Sequence, residues 1–269
     1  HLLTAYAPVK RRGEEILLVR EAPVVTGGAY GDAFLITMRA GEESPPSEVA
    51  LLFAERSQLD IQVRSGWMSL GVRGTDSVSM SLRGRLPADQ LINPAGGFEH
   101  VAVSTMIPVG HIAWASAWLG AAQGVTSQML DVWRDPQARK GQNLQSDLFT
   151  AHLARVRLQI DAVSAYLHQT LEEYEAWRET QCSGCVDPVP MRLNIHINNL
   201  KILASELLFT AVNELLQMSG LQFGYLRNNR VHLERTFRDL RSASLMYTND
   251  RLLIANGKLT LLDHDLLQA

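Results

Sequence analysis

The residues best equipped for chemistry gather near the C-terminal end of this 269-residue chain. Leu233–Asp250 reads LERTFRDLRSASLMYTND, which places Glu234, Arg235, Arg238, Asp239 and Arg241 on a short charged helix, with Tyr247 and Asp250 beyond it. A turn-like stretch precedes that helix, Ser219-Gly220-Leu221-Gln222-Phe223-Gly224-Tyr225, with Gln217 just ahead of it. Glycine lets a backbone come close to a bound cofactor, and it also ends helices; Gly220 admits both readings. Adjacent charges such as Arg238-Asp239 make packing salt bridges more often than they do chemistry, so a structural role is expected of them.

Other candidates carry less. Cys182 and Cys185 form a C-x-x-C in a loop-like segment. A redox pair or half a zinc site is conceivable, yet no second cysteine pair completes four thiolates, and reduced thiols are expected. His196 sits among apolar residues in Leu193-Asn194-Ile195-His196-Ile197 and reads as a packed histidine. His111, His152 and His168 show no metal-ligand spacing with one another. Neither a G-x-x-x-x-G-K-[ST] loop nor a G-x-G-x-x-G fingerprint occurs, so a phosphate-cradling loop of either sort is not expected.

These residues need a scaffold, and the chain writes one in two parts. Short β-branched and apolar runs fill the first hundred residues: Glu15–Arg20, Ala33–Met38 and Val49–Phe53, punctuated at Gly27-Gly28, Gly31 and Ser44-Pro45-Pro46. Val78–Arg83 alternates strictly, which puts Val78, Met80 and Leu82 on one buried face. Regular short strands of this kind predict an antiparallel sandwich or barrel. The character changes at Asn93-Pro94-Ala95-Gly96-Gly97, which places a β domain at 1–97 and a helical domain at 98–269. Beyond it, Leu153, Val156, Ile160, Val163, Leu167, Leu171 and Tyr174 repeat at spacings of three and four. Leu200, Leu203, Leu207, Ala211 and Leu215 do the same after the breaks at Gly184, Pro188 and Pro190. An earlier helix, about Thr105–Arg134, is apolar almost all round, with Trp114, Trp118, Leu119, Met129 and Trp133. A helix without a polar face is expected to be central or at a subunit interface. The fold class is therefore α+β: an antiparallel β domain followed by an antiparallel helical bundle.

The bulk numbers exclude some functions. A net charge of −3 gives no basic footprint for nucleic acid. No apolar run reaches the roughly 20 residues that span a bilayer, and no charged-then-apolar signal pattern opens the chain. A cytoplasmic location is the default expectation.

Two motifs now resemble one family. Gln217…Gly220…Gly224-Tyr225 followed by Glu234-Arg235…Arg238-Asp239…Arg241 is similar to the last helices of acyl-CoA dehydrogenases, which end in a glycine turn, an E-R-x-x-R-D-x-R helix and a catalytic loop. Upstream, Gly66-Trp67…Leu70-Gly71-Val72-Arg73-Gly74-Thr75-Asp76-Ser77 and then Leu86-Pro87 resembles the strand-loop-strand of that family's central β domain. The family's first, all-helical domain and its T-E-P-x-x-G-S-type loop would lie before His1.

The resemblance implies FAD as cofactor, a neighbouring subunit completing the cofactor site, and an acyl thioester substrate on coenzyme A or a carrier protein. It assigns flavin contacts to Thr26, in the place of the W-[IFV]-[ST] strand, where Val24 replaces the aromatic. It assigns pyrophosphate contacts to Arg134 or Arg139, although the R-x-x-F-G spacing is not kept, and further cofactor contacts to Gln217, Gly220 and Asn249. The family's catalytic glutamate falls on Tyr247, with Asp250 as a weaker alternative; members that carry the glutamate on the first bundle helix would have it near Gly110 and His111. A phenol is almost fully protonated at neutral pH, so slow dehydrogenation is expected. A non-catalytic subunit that completes a partner's site, and a flavin monooxygenase or oxidase on the same fold, stand as rival readings. A homo-oligomer, or a hetero-oligomer with a related subunit, is implied in each case.

Overall fold

In the structure, a computed structural model, residues 3–92, 97–139, 143–181, 187–227 and 230–263 are described. Cys182 and Cys185 lie outside the described residues. The chain divides into two compact units, His1–Ser69 with Arg73–Ile107, and Leu70–Val72 with Pro108–Ala269.

The first unit is built of strands β1 (Lys10–Arg12), β2 (Glu15–Val25), β3 (Ala33–Arg39), β4 (Val49–Glu55), β5 (Leu59–Ser65), β6 (Val78–Pro87) and β7 (Leu91–Ile92). These strands pair antiparallel with one another, in one sheet ordered β1-β2-β6-β5 and another ordered β3-β4-β7. Alternation does the sorting here. Ile16 and Leu18 of β2, Phe34, Ile36 and Met38 of β3, Leu52 and Ala54 of β4, and Val78, Met80 and Leu82 of β6 form one core fed by both sheets. That arrangement is the expected sandwich. The β2–β6 register slips between Ala22 and Val25, where Pro23 has no N–H to give the ladder. The next residues, Val24 and Val25, therefore leave the regular pleat, and Val24 is 57% exposed. A short helix α1 (Gly97–Val101) and a π-helical turn (Ala102–Met106) close this unit, with Phe98 and Ala102 packed on Leu51.

The second unit is a bundle of α2 (Ile107–Arg134), α3 (Asp147–Glu179), α4 (Met191–Met218), α5 (Leu233–Ala243) and α6 (Asn249–Thr260). Its core joins Ala115, Trp118, Leu119, Ala122, Val125 and Met129 of α2 to Val156, Ile160, Val163 and Leu167 of α3 and Leu200, Ala204, Leu208, Ala211 and Leu215 of α4. The stripe expected on α3 is the one buried. On α4 the inner row runs through Ala204 and Leu208, while Leu203 and Leu207 are half-buried. Leucine fills both rows, so periodicity alone could not separate them.

Helix α2 is expected to be central or at a subunit interface. Within this chain it buries one face and exposes the other, along Ala113, Ala117, Gly120 and Gly124. It reads as apolar all round because its outer face is made of small residues rather than charged ones. No described helix is long and apolar enough to cross a membrane.

Candidate functional site

Three polar residues interrupt the apolar inner face of α4 at helical spacing: Asn198, Lys201 and Ser205, all buried. Offsets of three and four place them in one row. Two buried asparagines seven residues apart, Asn249 and Asn256, line the facing side of α6. The rows interlock. Asn198 Nδ2 donates to Asn256 Oδ1 at 2.8 Å, and Asn256 Nδ2 donates to Asn199 Oδ1 at 2.9 Å. Lys201 Nζ donates to Asn249 Oδ1 at 2.7 Å and to the Tyr247 carbonyl at 2.8 Å. Asn249 Nδ2 then donates to Ser205 Oγ at 3.0 Å and Glu206 Oε1 at 2.9 Å.

Lys201 is 0% exposed. An ammonium group in such a place loses several kcal/mol of hydration. Its two hydrogen bonds, each worth about 1.5–3 kcal/mol net for a charged partner, and the Trp118 ring 6.0 Å from Nζ offset that loss. Burial still wins in part: it pulls the Lys201 pKa down to about 8, against a smaller upward pull from Glu206.

The Tyr247 carbonyl that Lys201 holds belongs to a residue with φ 55. The left-handed region is unfavourable for a bulky side chain, so this turn is held rather than relaxed. The Tyr247 ring meets His111 edge-on, with centroids 5.6 Å apart. His111 in turn stacks on Trp114 at 5.9 Å, and Trp114 on Trp118 at 6.1 Å. His111 is 2% exposed and its Nδ1 has no hydrogen-bond partner in the protein. Burial first, and the Lys201 charge second, lower its pKa to about 4, so the imidazole is neutral at physiological pH. The two positions that the family resemblance offers for a catalytic carboxylate are thus in ring contact, and neither carries one.

Arg238 and Asp239 do a different job. The Asp239 carboxylate accepts from the Val72 amide at 2.6 Å, and Arg238 donates to the Leu70 carbonyl at 3.0 Å and to Glu234 at 2.9 Å. The hydrogen bond from Arg238 holds the Glu234 carboxyl below the usual carboxylate range. Between the two anchored residues lies Gly71, where a Cβ would sit 2.1 Å from the Arg238 carbonyl oxygen. Leu70–Val72 and Arg238-Asp239, with Val72 and Asp239 167 residues apart in sequence, are therefore the two halves of one clamp inside the helical unit.

The other predicted residues are placed as follows. Asp250 is exposed in the first turn of α6. Thr26 follows β2, and its hydroxyl shares a hydrogen bond with Ser77 Oγ at 3.1 Å. Together with Val24, Val25, Phe34 and Leu35 it lines a cleft of about 280 Å³ in the β unit. Arg134 is exposed, with Asp131 at 3.7 Å, and Arg139 is exposed in the turn after α2. Gln217 lines an open cleft of about 400 Å³ with Asn143, Ser146, Phe149, His152 and Met218. Gly220 has φ 64 and no atom within 4 Å of a built Cβ, so backbone conformation alone calls for glycine there. Gly224 is the crowded one, with the Leu216 carbonyl oxygen 2.6 Å from a built Cβ. Asn249's amide is engaged within the bundle. His196 pairs with Glu173 at 2.6 Å, as a packed histidine does. No group of metal-ligating side chains occurs among the described residues.

Sequence reasoning missed Lys201, Ser205 and Asn198. The only signal was polar residues at spacings of three and four inside an otherwise apolar stripe.

The chain matches the acyl-CoA dehydrogenase C-terminal domain over residues 96–247. No curated protein sequence matches it. Acyl-CoA dehydrogenase from Geobacillus kaustophilus superposes with a TM-score of 0.80 at 17% identity, covering 96% of this chain and 64% of that one. Butyryl-CoA dehydrogenase from Megasphaera elsdenii gives 0.77 at 17% identity, with the same 96% and 64% coverage. Dibenzothiophene monooxygenase from Paenibacillus sp. A11-2 gives 0.77 at 18% identity, covering 94% and 66%. The chain thus spans somewhat less than two thirds of the dehydrogenases it resembles, and at these identities the likeness establishes the fold. With the domain match extending over more than half of the sequence, the chain belongs to the acyl-CoA dehydrogenase family.

Proposed function

We propose that this protein is a flavin-dependent oxidoreductase, with FAD as cofactor, acting on an acyl thioester carried by coenzyme A or a carrier protein. Family membership together with the held Tyr247 turn, at the place of the family's catalytic loop, carries the reading. The residues present fit a flavin. Val24 offers an exposed apolar surface next to the Thr26 hydroxyl, as a flat ring with polar edges needs. Gln217 sits in a cleft that also offers an aromatic ring, Phe149, and the side chains of Asn143 and Ser146, which suits a nucleotide end. Gly220, Arg134 and Arg139 lie near by in sequence to receive the pyrophosphate, guanidinium being apt for bidentate phosphate contacts.

A bound flavin supplies the two-electron acceptor. This chain's part is to bind, orient and handle the proton. Tyr247 stands at the base position and Lys201, through Asn249, fixes the turn that presents it. Glu206, the carboxylate joined to this network, already accepts from Asn249, and Asp250 points from an exposed turn. Proton abstraction by a group as weak as a phenol or a neutral imidazole makes α,β-desaturation slow. That expectation favours one rival, a flavin monooxygenase of the same fold, because oxygen chemistry does not require the carboxylate; the monooxygenase from Paenibacillus superposes as well as the butyryl-CoA dehydrogenase does.

Recording the visible spectrum after reconstitution with FAD tests the reading, followed by anaerobic mixing with saturated acyl-CoAs. A flavin band that bleaches slowly is the expected result. A band that bleaches only under NADH and then consumes oxygen would move the assignment to the monooxygenase. No flavin retained at all would leave a non-catalytic subunit.

A further inference from the structure

Among the described residues, Lys201 is the only buried lysine, arginine, aspartate or glutamate. It occupies a position on α4 where a methionine or leucine would fill the same space without dehydrating a charge. Packing therefore does not account for an ammonium group there. Its contacts do: its two hydrogen bonds go to the Tyr247–Asn249 turn, one to the carbonyl of the residue with φ 55 and one to the side chain that opens α6. The second of these is braced from behind, because Asn249 is also held by Ser205 and Glu206.

We propose that Lys201 is the positioning residue of this site: its ammonium group fastens the Tyr247–Asn249 turn in the left-handed conformation and thereby sets the Tyr247 ring against His111. An aromatic residue in that conformation persists only where its surroundings over-determine it, and a charged donor on the carbonyl is such a determinant. The titratable groups that face Lys201 are Glu206 on its own helix, His111 on α2 and Tyr247 on the turn, while α6 presents the amide of Asn249. The catalytic consequence rests on the acyl-thioester reading given above; the structural one does not.

A single peak can decide it. Of the six tyrosines only Tyr247 is followed by threonine, so labelling with ¹³C-carbonyl tyrosine and ¹⁵N-threonine gives one carbonyl–amide correlation, that of Tyr247-Thr248. In the unaltered chain this carbonyl should move with pH about a midpoint near 8, following the Lys201 proton. In Lys201→Met the movement should vanish and the peak should sit at a new position at every pH. With FAD and an acyl-CoA, kcat of Lys201→Met should fall by about 10²-fold, the effect of a small misplacement of a reacting group, with KM little changed. A carbonyl that keeps its position in Lys201→Met overturns the proposal. So does a peak that titrates while kcat of the variant is unaltered. Should Lys201→Met fail to fold, Lys201→Gln, which keeps a polar head without the charge, is read by the same peak, and an unmoved peak there overturns the proposal as well. Absence of flavin reduction in the unaltered protein would sink the acyl-thioester reading and leave the peak position in the Lys201 variants as the test of Lys201.

Discussion

Replacing Gly71 by alanine probes the contact between the two family-like stretches. A Cβ at this position would stand 2.1 Å from the Arg238 carbonyl oxygen, 2.5 Å from the carbonyl carbon and 2.7 Å from the Asp239 Cα. Every one of these atoms is helix backbone, so no flexible tip can move aside. Relief needs a shift of about an ångström by Leu70–Val72, and that shift breaks or lengthens the bonds from Val72 N–H to Asp239 and from Arg238 to the Leu70 carbonyl. Overpacking of this kind costs about 1–3 kcal/mol. Losing one hydrogen bond to a charged group adds about 1.5–3 kcal/mol. The two are alternatives in part, since a segment that swings away escapes the clash, so the expected loss is about 2–4 kcal/mol. Gly74→Ala is the matched control, because nothing lies within 4 Å of a Cβ built there, and it should stay within about 0.5 kcal/mol of the unaltered chain. Urea unfolding followed by ellipticity at 222 nm reads the helical unit. A double-mutant cycle with Asp239→Ala should be strongly non-additive, because the second substitution removes a bond that the first has already broken. Equal midpoints for Gly71→Ala and Gly74→Ala would refute the clamp.

Other outcomes follow from the same geometry. His111 has its pKa lowered from 6.5 to about 4, so the folded chain binds fewer protons than the unfolded one in that window; stability present above pH 6.5 should decline as pH falls toward 4, by up to about 3 kcal/mol. His111→Phe should flatten that decline in acid titrations of unfolding, and an unchanged slope would contradict the burial of a neutral imidazole. Tyr247→Glu restores a carboxylate at the base position and should raise acyl-CoA-dependent flavin bleaching by up to ~10²–10⁴-fold; no increase in a variant that still binds flavin would place the base elsewhere. The exposed small-residue face of α2 and the exposed Leu253 and Ile254 of α6 call for a partner surface, so light scattering at micromolar concentration should give a multiple of 29.9 kDa. A stable monomer would count against both the oligomer and a shared flavin site.

How far the sequence could be read depended on whether a residue's role follows from its neighbours in the chain or from a distant partner. Period-two alternation at Val78, Met80 and Leu82 and the three-four spacing from Leu153 to Tyr174 are local statements about burial, and the buried faces lie where they point. The inner row of α4 was misjudged by one step because Leu200 serves either row and only the packed neighbours choose between Leu203 and Ala204. Gly71 looked like a loop glycine, since nothing local reveals that a helix backbone more than 160 residues away presses on it.

The polar row was the hardest to see for a related reason. A periodicity search counts Asn198, Lys201 and Ser205 as interruptions of an apolar stripe, whereas physically they are the stripe's other half. Apolar inner positions on α4 face α2 and α3, and the polar ones face the Tyr247 turn and α6. A lysine on an inner helical face is a large energetic anomaly, and such an anomaly is informative in the absence of any family resemblance. It says that some carbonyl or carboxylate must come to meet it. Here the group that comes is the carbonyl of Tyr247, the residue proposed above for the base position. The buried charge and the motif meet at one turn, joined by a hydrogen bond between residues 46 positions apart on different elements.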